Sequence, residues 1–215
     1  MIPMSSDYVS ETRRGLSHLQ RRRKLVIFGL VLLLLVALPM MQSLEQVDMA
    51  AHELIEIGGL FLIGIAILGR GWCTLYIGGN KAQLLTDTGP YSISRNPLYM
   101  FSFIGAAGVG AQSGSLVIAG LFALGAFAVF WPVIVREERA LADLFGLDFA
   151  HYQTRVPRFG PRFSVWKDVE TLSVHPRLVW RTLRDGLVFL MVVPIFELID
   201  WLQLHGTIHP LVFLP

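Results

Sequence analysis

Apolar residues along this chain are not spaced as a soluble helix or strand would space them. They fall in near-continuous runs separated by charged stretches. A helix that crosses a bilayer needs about 20 mostly apolar residues at about 1.5 Å each. Five runs approach that length: Leu25 to Met41, Leu54 to Gly69 (reaching Ile77 if Arg70 and Trp72 lie at the interface), Leu98 to about Gln112, Leu116 to Val135, and Gly186 to Leu204. The first holds twelve Leu, Val, Ile and Phe residues, whose insertion is favoured by roughly 4 to 7 kcal/mol in sum. Arg21, Arg22, Arg23 and Lys24 before it resemble a signal n-region, but the run is too long and no small-x-small cleavage site follows, so an uncleaved anchor is predicted. Ser113-Gly114-Ser115 between the third and fourth runs predicts a tight helical hairpin. The fifth run carries Pro194, Glu197 and Asp200, which leaves a re-entrant or interfacial helix as the alternative to a crossing. The pattern predicts an all-α polytopic membrane protein of about five transmembrane helices, with a cytoplasmic segment between the fourth and the fifth. Glycines such as Gly59, Gly64, Gly105, Gly108 and Gly120 are expected to serve close helix packing.

Composition agrees with this reading. The chain is 53% hydrophobic and 16% charged, against about 25% charged for a soluble domain. A formal net charge of +2 and this apolar content exclude a disordered chain and give no footprint for nucleic acid. The lone cysteine, Cys73, can form neither an intramolecular disulfide nor a thiolate cluster, and no metal centre is expected. The placement of the basic residues carries more. Six Lys and Arg precede the first run, three (Arg70, Lys81, Arg95) lie between the second and third, and nine lie between the fourth and fifth, which accounts for all eighteen. Cytoplasmic segments carry such an excess, so the amino terminus is expected inside and the carboxyl terminus outside. Glu56, Glu197 and Asp200 then fall near outer helix ends, as solvated interface groups. The expected partition is 1–24 basic cytoplasmic, 25–69 two membrane helices, 70–162 a core of loop, hairpin and cytoplasmic segment, and 163–215 a linker with the last hydrophobic helix.

Chemistry must therefore sit in the cytoplasmic segments. In the first, Gly89-Pro90-Tyr91 makes a turn, and Arg95-Asn96-Pro97-Leu98-Tyr99 opens the third helix with a favoured N-cap and a proline at its first position. The free N–H groups of that helix start, beside Arg95, form an anion-binding corner. In the second, Arg136-Glu137-Glu138-Arg139 ends the fourth run, and Leu141, Leu144 and Phe145 keep helical spacing, so that helix is expected to continue out of the membrane. Two adjacent carboxylates there are either paired by the flanking arginines or receive a cationic ligand. Tyr152-Gln153-Thr154-Arg155-Val156-Pro157-Arg158-Phe159-Gly160-Pro161 reads as an extended, rigid stretch. Gly105, Gly108 and Gly110 follow no strand and make no nucleotide loop.

Gly-Pro-Tyr, Arg-Asn-Pro-Leu-Tyr, Glu-Glu-x-x-Leu, Phe-Gly, Tyr and Arg-Val-Pro-Arg-Phe, in this order over residues 70–162, resemble the isoprenylcysteine carboxyl methyltransferase and phospholipid methyltransferase superfamily of integral membrane enzymes. The resemblance implies S-adenosylmethionine as cofactor, and a lipophilic acceptor (an isoprenylcysteine carboxylate, a phospholipid amine or a small thiol) entering from the bilayer. It places Gly89, Tyr91, Arg95, Asn96, Tyr99, Glu137, Glu138 and Tyr152 around the cofactor. Arg155 and Arg158 fall where cofactor and acceptor meet, and Arg155 and Glu138 are the candidate catalytic groups. Members commonly carry His where this chain has Asn96 and Gln83, so a histidine-dependent mechanism is not expected. From Phe163 onward the chain has no counterpart in the pattern.

Methyl transfer from a sulfonium is an in-line displacement that depends on positioning and electrostatics. A carboxylate acceptor needs no base, whereas an amine or thiol must lose a proton, with Glu138 or a water to take it. The alternatives are a membrane reductase using NADPH, which shares the hairpin, and a membrane packing or interaction protein whose arginines only orient it.

Overall fold

The structure, a computed structural model, describes residues 41–43, 49–77, 84–207 and 212–214. The first predicted run lies outside these residues except for Met41, which opens a short strand. That strand, β1 (Met41–Ser43), pairs in parallel with β2 (Val212–Leu214). Every other regular element among the described residues is helical: α1 (Met49–Ile77), α2 (Pro90–Ile93), α3 (Pro97–Ala111), α4 (Leu116–Phe145), α5 (Leu147–Arg155), α6 (Pro176–Leu187) and α7 (Val192–Leu204), with 3₁₀ turns at Phe163–Val165 and Val188–Met191.

Two helices are long and apolar enough to cross a membrane, Ala50–Ile77 and Leu116–Phe145. Only 22% and 17% of their most apolar windows are buried, whereas a core helix of a soluble protein would hide most of that surface. Leu54, Ile57, Phe61 and Leu68 on α1, and Leu116, Leu121 and Leu124 on α4, stand exposed. Apolar belts of this extent are tolerated against lipid or a partner and not against water. The long form of the second predicted run is the one observed, with Arg70 inside α1. The third run has its predicted length, set back by one residue: α3 has 15 residues, about 22 Å at 1.5 Å per residue, against a hydrocarbon core of about 30 Å. By contrast α4 runs unbroken for 30 residues, about 45 Å, so its last turns project past the apolar layer as the spacing of Leu141, Leu144 and Phe145 predicted. Pro132 lies inside it and deprives the Ala128 carbonyl of its helical donor.

The α1–α3 contact is the closest in the bundle, and small residues permit it. A side chain on Gly108 would begin 2.6 Å from the Gly59 carbonyl, and one on Gly105 would meet Ala66. The turn after α3 keeps Gly114 at φ +67°, and the Ser115 hydroxyl accepts from Ile118 N–H to start α4. Ile63, Ile67 and Val109 form the buried centre, joined by Phe122, Leu183, Phe189 and Val192.

The last predicted run differs in extent. Its helix begins ten residues earlier, at Pro176, because Val179, Thr182, Leu183 and Gly186 recur at helical spacing toward α1 while Arg177, Arg181 and Arg184 interrupt the apolar run. The Thr74 hydroxyl donates to Thr182 at 3.1 Å across this contact. Between α6 and α7 the backbone tightens into the 3₁₀ turn at Val188–Met191; Pro194 offers no N–H to the Leu190 carbonyl, which loosens the ladder there. Phe196 and Ile199 of α7 then pack on Ile118 at the start of α4.

The packing makes a contrast testable. Gly108→Val forces α1 and α3 apart and should lower stability by about 1–3 kcal/mol, the usual cost of overpacking. Gly120→Ala, where nothing lies within 4 Å, should be neutral or gain up to about 1 kcal/mol from helix propensity. Denaturation of the purified protein in detergent reads both.

Candidate functional site

Glu138 stands on the projecting end of α4, only 6% exposed. Its Oε1 accepts from Asn96 Nδ2 at 2.9 Å and from Arg95 Nε at 3.3 Å; its Oε2 accepts from Arg158 Nη2 at 2.7 Å and Nε at 3.0 Å. Three segments thus meet on one carboxylate: the start of α3, the end of α4 and the strand-like stretch after α5. Asn96 occupies the N-cap position of α3 but does not cap it, because its amide turns to Glu138. The expected capping hydrogen bond is therefore absent, and the first N–H groups of α3 receive nothing from that side chain. Arg95 also donates through Nη1 to the Gln153 and Val156 carbonyls at the end of α5, where the helix dipole favours a cation.

The predicted extended stretch divides in two. Tyr152 to Arg155 are helical, the end of α5, and the chain extends only from Val156, since Pro157 constrains the residue before it and none earlier. Beyond that point the backbone is tied across the α2–α3 junction, Arg95 N–H to Pro157 O and Arg162 N–H to Ile93 O, each 2.9 Å. Phe149, Tyr152 and Val156 form a small core with Leu85, Leu141 and Phe145 against it, and the Tyr152 hydroxyl donates to the Tyr91 carbonyl at 2.7 Å.

Above this core lies a cavity of about 250 Å³. Tyr91, Arg95, Asn96, Tyr99, Glu137, Glu138 and Tyr152 all line it, together with apolar walls from Leu85, Leu98, Leu141, Leu144 and Phe149. Glu137 and Glu138, neighbours in sequence, differ in state. Glu138 is saturated by two guanidinium groups, whereas exposed Glu137 accepts from the Tyr99 hydroxyl at 2.9 Å. The Tyr91 ring is 94% hidden, yet its hydroxyl has no hydrogen-bond partner among the described residues. Burial pushes the Tyr91 and Tyr152 hydroxyls above the ordinary tyrosine range, so both stay protonated donors.

Three predicted residues stand apart from the cavity. Gly89 adopts φ +56°, and a side chain there would strike the Tyr76 ring at 2.3 Å; it turns the chain and donates its N–H to Lys167 O at 2.8 Å. Arg155 points to Asp87, Nη2 to Oδ2 at 2.6 Å, and Lys167 reaches the same oxygen at 3.2 Å. Arg158 grips Glu138 and lies 5.3 Å over the Trp131 ring, beside Phe159, which packs among Phe103, Phe127 and Trp131. Asp87, Leu85, Phe149 and Lys167 were not singled out as site residues. The Phe149, Tyr152, Val156 spacing was a usable signal for the small core; nothing local marks Lys167.

The family model for phospholipid methyltransferases matches residues 54–148, the stretch that builds α1, the hairpin and the start of α5. A protein-S-isoprenylcysteine O-methyltransferase from Schizosaccharomyces pombe is 36% identical over 78 residues, 36% of this chain and 33% of that protein. The chain belongs to the isoprenylcysteine carboxyl and phospholipid methyltransferase superfamily of membrane proteins. The cobalt-zinc-cadmium resistance protein CzcN of Cupriavidus metallidurans is 38% identical over 157 residues, 73% of this chain and 72% of that protein. The nickel-cobalt-cadmium resistance protein NccN of Alcaligenes xylosoxydans xylosoxydans is 36% identical over 157 residues, 73% of each chain. No solved structure matches.

Two outcomes follow from the geometry of this superfamily member. Glu138→Ala leaves two guanidinium groups facing each other and should cost roughly 3–5 kcal/mol, more than Glu137→Ala, whose carboxylate is exposed; chemical denaturation compares them. Burial would raise the Asp87 carboxyl, but hydrogen bonds from Arg155 and Lys167 outweigh it and hold it below its ordinary 3.8. A carboxylate depressed in the folded state stabilises above its unfolded pKa and loses that contribution as pH falls through the folded value. The protein should therefore lose this latch below about pH 4, and Asp87→Asn should flatten the acid limb of stability against pH.

Proposed function

We propose that this protein is an S-adenosylmethionine-dependent methyltransferase acting on a lipophilic acceptor, with its site on the cytoplasmic side of a multi-pass membrane fold. The observation that carries the reading is the cavity: seven residues chosen from sequence line it, and one of them, Tyr91, holds a buried hydroxyl without a partner. A ligand with both charges and hydroxyls suits such a lining. Glu137, steadied by Tyr99, would meet an ammonium; the Tyr91 hydroxyl and the uncapped start of α3 would donate to a carboxylate or a ribose oxygen. Leu85, Leu141, Leu144 and Phe149 offer apolar walls for the rest. When bound, the cofactor supplies a methyl group on a sulfonium sulfur.

What the chain's own residues contribute is position and field. Holding two reactants in line is worth up to about 7–11 kcal/mol, and the Glu138 network fixes the helix end that would orient them. Both Glu138 oxygens are occupied, so it is a positioning residue and not the acceptor of a proton. Arg155, bound to Asp87 outside the cavity, likewise positions α5 over the segment 84–88. Neither of the two groups singled out as catalytic is thus free to react. An acceptor that arrives already ionised, such as a carboxylate, fits a site of this kind: a cation and an anion become neutral products, and a poorly solvated site favours that change.

The resistance proteins among its relatives favour a metal-stressed setting for the same activity. We read that setting as one in which the lipophilic acceptor is methylated.

Calorimetry of S-adenosylmethionine on the detergent-purified chain, with NADPH as control, tests the reading. Saturable binding of the first alone, weakened tenfold or more by Glu137→Ala and by Tyr91→Phe, is expected. Binding of NADPH alone, or of neither, overturns it.

A further inference from the structure

Arg70 is the basic residue that α1 carries in its interior, about 10 Å before the helix end at Ile77. Its side chain turns toward α3, where Nη1 donates to the Ser102 hydroxyl. Ser102 in turn donates to the Leu98 carbonyl at 2.9 Å, so its oxygen is oriented as an acceptor but brings no negative charge to the guanidinium. Among the described residues the buried Nε–H of Arg70 has no acceptor and no carboxylate makes a salt bridge with the guanidinium. Asp185 on α6 acts on it only through space and lies 3.9 Å from Arg181.

A buried guanidinium without a counterion is costly, and one inside an apolar helix marks a functional position by default. The surroundings of Arg70 are built to keep it there. Gly69 and Gly71 flank it; side chains in their place would strike Phe101 of α3 and Leu183 of α6, so the backbone of α1 is drawn close to both helices at this level. Ser102 lies three residues after Tyr99, on the same face of α3 and one turn deeper than the cavity that Tyr99 lines. The unpaired charge therefore sits on the bilayer side of the candidate cofactor site, where an acceptor coming from the membrane would present its polar end.

Resting on the methyltransferase reading, we propose that Arg70 binds the anionic group of the lipophilic acceptor, a carboxylate or a phosphodiester. The free Nε–H is one arm of the fork by which guanidinium groups hold oxyanions side-on. With this group seated, the reactive atom, which is an oxygen of the carboxylate itself or the amine beyond a phosphodiester, is held on the cavity side, and the apolar chain lies along the exposed apolar faces of α1 and α4.

The test uses the full chain in detergent. The probes are N-acetyl-S-farnesylcysteine, its uncharged methyl ester, and phosphatidylethanolamine against diacylglycerol in nanodiscs. Wild-type protein should bind the charged member of at least one pair about tenfold more tightly than the neutral one, and the pair that discriminates identifies carboxylate or phosphodiester as the group. Arg70→Gln should abolish that discrimination while S-adenosylmethionine affinity stays within twofold. Should Arg70→Gln fail to fold, Arg70→Lys, which keeps the charge and loses the fork, should retain only part of the discrimination, and Ser102→Ala should retain it whole. Equal binding of charged and neutral probes by the wild type, no binding of either, or discrimination that survives in both Arg70 variants overturns the proposal. Discrimination by a protein that binds no S-adenosylmethionine would remove the methyltransferase reading and leave the anion site standing.

Discussion

One buried carboxylate organises the polar end of this molecule. Glu138, on α4, takes hydrogen bonds from Arg95 and Asn96 before α3 and from Arg158 after α5, so three segments that share no local structure meet on it. A buried ion pair of this type adds little net stability compared with apolar packing, yet removing one partner is expensive. Its value is geometric: it admits one arrangement of the α3 start, the α4 end and the stretch after α5. The cavity, the uncapped helix start and the free hydroxyl of Tyr91 all depend on that arrangement. Had Asn96 capped α3, as its position suggested, the helix terminus would be satisfied and the carboxylate short of a donor.

The membrane helices make this possible by a different kind of contact. Small residues on α1 and α3 let the two backbones nearly touch, and the turn at Gly114 returns the chain at once into α4. Because α4 is far longer than α3, its last turns overshoot the hairpin partner and carry Glu137 and Glu138 past the start of α3. The mismatch in helix length is thus what creates a polar ledge at the end of an apolar hairpin. Arg70 and Ser102 lie one turn below that ledge, so polar groups continue from it along a single face of α3.

Neighbouring residues acquire opposite tasks in this setting. Glu138 faces inward and is consumed by two arginines; Glu137 faces the cavity and keeps a lone tyrosine donor. Arg155 and Arg158, three residues apart, likewise divide, one latching Asp87 at the rim and the other closing the carboxylate network beneath Trp131 and Phe159. Together they hold the segments on both sides of the cavity without entering it.

Much of this was written in the sequence, because apolar runs, proline and glycine positions and charge clusters act locally. The hairpin with its Ser113-Gly114-Ser115 turn, the long α4 and the start of α3 at Pro97 follow from spacing alone, and the order of the motifs around it marked seven of the cavity's residues. What escaped it was amphipathic or long-range. The arginines of α6 hid a helix whose apolar residues recur on one face only. The pairing of Arg155 with Asp87, of Asn96 with Glu138 instead of its own helix, and the solitude of Arg70 link positions tens of residues apart. A residue type determines which partners its side chain can accept; only the packed chain brings one of them within 3 Å and leaves the others out of reach.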